Sequence, residues 1–149
     1  MASLAEQLGG GEKRGKVIED ACRVLDQEVA DKGGLTGIAI KGAYKIVQGI
    51  KPGFVREVVD ALLDDFLGAV DPIYQEAASK HRPAGAYLRE NGGRVADALL
   101  AVTDRRAKEA KRQVVRSAYD KLRPMAKKQV EGASPRLGDL IDRHAAQTG

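Results

Sequence analysis

The chain has no tryptophan, one cysteine, two histidines, two phenylalanines and four tyrosines in 149 residues. Each shortage removes a class of explanation. Cys22 alone cannot close an internal disulfide or share a metal with a second thiolate, and a single free thiol is ordinary in a reducing compartment, so a cytoplasmic location is expected. His81 and His144 lie far apart in the sequence, and neither sits in a motif with a nucleophile, a paired carboxylate or spaced metal ligands. No catalytic, cofactor-binding or metal residue is therefore assigned, and the chain is read as non-enzymatic. Long apolar runs are missing too. The least charged stretch, residues 33–50, contains Lys41 and Lys45, and the start MASLAEQLGGGEKRGK has no apolar core of a signal peptide, so neither membrane spanning nor export is expected.

What is present is aliphatic and charged. Hydrophobic residues make up 43% and charged residues 31%, enough apolar surface to outweigh chain entropy and form one core. The length suits a single helical domain, 1–149, with residues 1–11 expected to be a loosely attached N-terminal segment. Between residues 12 and 32, Val17, Ile18, Ala21, Cys22, Leu25 and Val29 recur at steps of three and four, the period of an amphipathic helix. Gly33 and Gly34 end it.

A second helix is expected near 35–50, with Leu35, Ile38, Ala39, Ala43, Ile46, Val47 and Ile50 on one broad face. Its interior glycines cost about 1 kcal/mol each relative to alanine. Gly42 and Gly49, seven apart, suggest close approach of another backbone, and the segment reads as a tightly packed central helix. From Phe54, Val55, Val58, Val59, Leu62, Phe66 and Val70 form the next stripe. Asp71 and Pro72 look like an N-cap and first turn that open a short separate helix to Lys80. A short helix follows near 84–90, then one from Arg94, then one through Val114, Ala118 and Leu122, in which Pro124 threatens a break. Ser134 and Pro135 are read as opening a final helix. No segment alternates apolar and polar residues as a strand does. The fold class is all-α, an irregular bundle of about six to eight helices with no sheet. VVDALL at 58–63 and VADALL at 95–100 are alike, but the likeness does not extend to a repeat architecture.

The stretches LTGIAIKGAYKIVQGIKPGFV, VADALLAVTDRRA, AYDKLRPMAKKQV and LIDRH, spread from about Val17 to His144, resemble a group of small bacterial proteins classed as a domain of unknown function. The resemblance rests on helical packing segments and implies a bacterial, helical protein with no assigned reaction, ligand or partner.

Residues 10–17, GGEKRGKV, match a phosphate-binding loop up to its last position, where the hydroxyl that would hold Mg²⁺ is missing. No strand precedes it, and Ser3 and Glu6 are spaced as a helical capping box instead, so a linker is the better reading. Two charged stripes stand out. Glu57, Asp60, Asp64 and Asp71 fall along one side of a helix opposite its apolar face; without histidine among them, a solvated or partner-binding face is expected rather than a metal site. Residues 105–128 carry ten Lys and Arg against Glu109 and Asp120. On a continuous helix Arg105, Lys108, Arg112, Arg116, Arg123 and Lys127 would share a stripe about 100° wide. Residues 1–93 hold 12 Lys and Arg against 14 Asp and Glu, whereas residues 94–149 hold 13 against 7. Charge is therefore segregated along the chain.

Three functions are weighed on the residues, and on a fourth, a small-molecule carrier or enzyme with an apolar pocket between helices, the sequence is silent. The favoured one is a protein-interaction or self-assembly module acting through these charged helix faces, with a protein partner or a second copy on the other side. A sequence-indifferent nucleic-acid binder using the basic stripe is the alternative, although stacking platforms are lacking beyond Tyr119. Docking of residues 33–50 on a membrane surface is the least favoured, because its glycines and flanking helices argue for burial.

Overall fold

A computed structural model describes residues 2–145. Among them are seven helices and no strand: α1 (Leu4–Leu8), α2 (Gly11–Asp31), α3 (Gly34–Gln48), α4 (Phe54–Ser79), α5 (Ala84–Glu90), α6 (Gly92–Glu109) and α7 (Gln113–His144). The two longest, α4 and α7, form the frame. α1, α2, α5 and α6 pack on α4, while α2, α3, α5 and α6 pack on α7. The core joins Leu4 and Leu8 of α1, Val17 of α2, Leu63 and Leu67 of α4, Leu88 of α5, Val95 of α6 and Ile141 of α7. Aliphatic side chains of this size stabilise by roughly 1.5–3 kcal/mol each when fully buried.

Two prolines expected to start new helices lie inside long ones. α4 runs through Pro72 without interruption, and α7 runs through Pro124 and Pro135. Pro135 lacks the N–H that would reach the Glu131 carbonyl four residues earlier. The Ser134 hydroxyl takes that place, donating to the Glu131 carbonyl oxygen at 2.7 Å. Asp71 is likewise no N-cap: its carboxylate accepts the backbone N–H of Leu4 at 2.8 Å and so anchors the start of α1 to α4. The reach of that bond explains why helix continuity wins over the local capping signal.

The N-terminal segment is not loosely attached. Leu4 and Leu8 are completely buried, Ser3 caps α1 by accepting the Glu6 N–H, and Gln7 donates to the Tyr74 hydroxyl at 3.2 Å. Five helical residues are too few to hold themselves, and it is the two leucines in the core that fix them.

α5 and α7 cross almost backbone to backbone. A β-carbon on Gly138 would stand 2.7 Å from the Gly85 carbonyl oxygen, so glycine is required there, and the Gly85 N–H donates to Asp142 at 3.0 Å. α3 is the reverse case. It is not central: only Gly37 and Ala43 are buried, and Gly42 has nothing within 4 Å of where a β-carbon would be. The close approach expected at Gly42 does not occur among the described residues.

Truncating a buried leucine removes its transfer energy and leaves a cavity. Leu8→Ala is therefore expected to lower unfolding stability by about 2–4 kcal/mol in urea titrations, whereas Leu35→Ala on the outside of α3 should stay within about 0.5 kcal/mol of the wild type. A loosely held N-terminus would instead leave Leu8→Ala neutral.

Candidate functional site

The expected basic stripe does not form a common face. α6 ends at Glu109, Ala110 and Arg112 are extended, and α7 starts at Gln113. The two helices then pack antiparallel, since Thr103 meets Tyr119, Asp104 meets Arg123, and Asp97 meets Lys127. The turn splits the stripe. Arg105 pairs with Asp65 on α4 at 3.3 Å, and Arg106 pairs with the same carboxylate at 2.7 Å. Arg123 binds Asp104 at 2.8 Å, and Lys127 binds Asp97 at 3.1 Å. Arg116 folds back onto the Ala110 carbonyl, and Arg112 lies over the Phe54 ring. Lys108 is exposed on the last turn of α6. The sequence places these cations by one helical period, and the reversal at 110–112 turns half of them to a second helix.

The acidic stripe is spent in a similar way. Arg14 bridges Asp60 and Asp64, each at 2.8 Å, and also donates to the Gly9 carbonyl oxygen at 2.7 Å. Residue 14, read from sequence as part of a linker, is thus the clamp between the start of α2 and the side of α4. Glu57 pairs with Lys51 at 2.9 Å, and Asp71 holds α1. Among the described residues, no group of three or more His, Cys, Asp and Glu is arranged to hold a metal, and no helix is long and apolar enough to cross a membrane.

Other charged groups serve packing as well. Glu76 is held down to about 2 by Arg94 and by the Tyr87 hydroxyl, which donates to it. Burial pushes the Cys22 thiol up, away from the reactive thiolate. Burial, with the Asp26 carboxylate, also raises the Tyr44 phenol. His81, in the turn after α4, takes a positive φ of 54°, and His144 lies at the end of α7 against Asp20 at 2.8 Å.

What remains is apolar. On the outside of α3, Leu35 is 87% exposed, Ile38 70% and Ile46 54%. At 100° per residue these three fall with Ala39, Gly42 and Gly49 inside an arc of about 100°, and Ala39, Gly42 and Gly49 are exposed as well. Gly42 lies at the middle of the strip, which makes it low and flat. Exposed Lys41 and Lys45 line one edge of it. From residue 32 to residue 56 there is no Asp or Glu at all. Sequence reasoning missed this site by assigning all of its apolar residues to the core. The available signal was their spread: Ile40, Ala43 and Val47 occupy the opposite side of the same helix, so the apolar residues cover more of the circumference than one neighbour can hide.

Two open grooves adjoin the N-terminal end of α4. One, about 260 Å³, lies between α2, α3 and α4 beside Cys22, Tyr44 and Phe54. The other, about 460 Å³, runs between Phe54, Val58 and Leu62 of α4, Ala107 of α6 and Val115 and Tyr119 of α7.

Helical architecture and an uncovered apolar helix face define a small all-α bundle protein. The chain belongs to the Family of unknown function (DUF6918), which matches residues 4–145; the resemblance seen in its helical segments leads to the same kind of family. No curated protein and no solved structure matches it.

Asp20 links the end of α7 to pH. Burial alone would raise its pKa, but hydrogen bonds from His144 and Arg143 bring it below the usual 3.8. A depressed carboxylate stabilises the fold above its unfolded pKa, and that contribution is lost as the pH falls through the folded value. Asp20→Asn is expected to cost about 1–2 kcal/mol at neutral pH in urea unfolding, with the gap from wild type narrowing as the pH falls below 3.8. An unchanged gap in acid would mean that the lost charge is not the cause.

Proposed function

We propose that this protein is a non-catalytic docking module, and that the outer face of α3 receives a helix of another protein that carries carboxylates. The observation behind this is the strip of Leu35, Ile38 and Ile46 left in water, centred on Gly42 and edged by Lys41 and Lys45, in a stretch of sequence from residue 32 to residue 56 that holds no Asp or Glu. The charged stripes of α4, α6 and α7 are largely engaged inside the molecule, so the interaction moves from the charged faces to the apolar one.

Three points select the occupant. A glycine in mid-helix costs about 1 kcal/mol relative to alanine, and nothing among the described residues lies close enough to Gly42 to require it. A solid partner whose backbone comes close uses that flatness, as small residues do at tight helix crossings. Fluid lipid fills around any side chain and gains nothing from glycine. Lys41 and Lys45 call for carboxylates opposite. A second copy packed antiparallel about a twofold axis would bring the same lysines together along one edge, which costs energy.

The test is a photo-crosslinking residue at position 38 in the native cell, with a control at an exposed site on α7. An adduct joining α3 to a carboxylate-bearing helix of a different protein, lost in Lys41→Glu/Lys45→Glu, is the expected result. An adduct of two copies of this chain would replace the reading with self-assembly, and binding only to anionic vesicles would replace it with membrane docking. No adduct dependent on position 38 would overturn it.

Gly42→Ala sharpens the prediction because its two effects have opposite signs. The free protein should gain up to about 1 kcal/mol of stability, read as a rise in Tm, while the yield of the α3 adduct falls. A gain in stability with no loss of adduct would remove the glycine argument.

A further inference from the structure

We infer that the groove between α4, α6 and α7 is a binding site for a fatty carboxylate, a single aliphatic chain ending in one negative charge. Its walls are Phe54, Val58 and Leu62 of α4, Ala107 of α6, and Val115 and Tyr119 of α7. At about 460 Å³ it falls in the roughly 300–1,000 Å³ range of small-molecule sites. The wall side chains are aliphatic or aromatic, with one tyrosine hydroxyl already bonded to Asp104 and Thr103. Such a surface gives a tail contact area and offers almost no polar recognition along its length.

The rim supplies the sign of the head group. Arg106, Lys111, Arg112 and Glu109 all border the groove. Arg106 shares the Asp65 carboxylate with Arg105. Lys111 and Arg112 make no ion pair among the described residues; Arg112 instead lies 5.6 Å from the centre of the Phe54 ring, at the junction of wall and rim. Arg112 is also the N-cap of α7 and provides no side-chain acceptor for that helix's first amides. Two cations without an ion pair among the described residues, Lys111 and Arg112, therefore stand beside an apolar channel against the single carboxylate of Glu109. An amphiphile with an anionic head satisfies both halves: the tail removes apolar wall from water, and the head meets Lys111 and Arg112 at the start of α7. A neutral amphiphile satisfies only the first, and a small inorganic anion only the second.

The site lies apart from the outer face of α3, and neither proposal depends on the other. Calorimetric titration of the full chain with dodecanoate, kept below its micelle concentration, tests it. Saturable one-to-one binding with a negative heat-capacity change is expected. Dodecanol should bind about tenfold or more weakly than dodecanoate. Lys111→Ala/Arg112→Ala changes two exposed side chains, so helix content by circular dichroism should be retained while dodecanoate affinity falls about tenfold. Leu35→Ser/Ile38→Ser should leave the affinity unchanged.

The inference is overturned by absence of saturable heat up to about 1 mM dodecanoate. It is equally overturned by an affinity that Lys111→Ala/Arg112→Ala does not alter, or by a loss of binding confined to Leu35→Ser/Ile38→Ser, which would place the amphiphile on α3.

Discussion

A helix in a bundle can bury only the part of its circumference that faces its neighbours, and α3 carries aliphatic side chains around most of its own. Its inner side, with Ala43 buried, rests on α2, α4 and α7. Its outer side, from Leu35 to Gly49, has no neighbour in the described chain. The rest of the surface follows from how completely the other helices solve the same problem. α1 hides both of its leucines, α4 hides Leu63, Leu67 and Val70, and α6 hides Val95 and Leu100. Among the described residues, the three most exposed large aliphatic side chains, Leu35, Ile38 and Ile46, all lie on α3.

The ionised groups complete that division. Arg14 joins α2 to α4, Arg136 joins α7 to Glu28 and Asp31 of α2, and Asp20 gathers Arg143 and His144 at the end of α7. Pairs as exposed as most of these contribute little each, typically ~0–1 kcal/mol. Their more useful effect is to specify which helix lies beside which, because a slipped arrangement would strand the carboxylate of Asp20 or Glu28, both of which are shielded from water. Charges occupied in this way offer less to an outside partner than their number suggests. A net charge of +4 alone is therefore a poor guide to function here.

Much of the architecture is legible in the sequence because it depends on local periodicity. The helical class, the stop at Gly33, and the short helix Ala84–Glu90 all follow from spacing and turn residues. The misreadings share one cause: each needed a long-range partner. Pro72 and Pro135 mark helix starts by local rules, yet neighbouring helices hold α4 and α7 together across them. Residues 1–11 look like a linker until Leu4 and Leu8 meet the core. The stripe from Arg105 to Lys127 is real as a pattern and false as a surface, because the turn at Ala110 folds its second half back onto the first. The strip on α3 failed in the opposite direction, since an apolar face is assigned to the interior unless something shows that no helix reaches it. Asp60 and Asp64 reach one shared partner, Arg14, which lies 46 and 50 positions away in the sequence.

The account stands on Ile38 facing water in the isolated chain. Thiol labelling of Ile38→Cys in a Cys22→Ser background measures this directly. The predicted result is modification at the rate of a cysteine in an unfolded peptide, unchanged when the protein is diluted. Strong protection that survives dilution would contradict it, because the chain itself would then be covering the face.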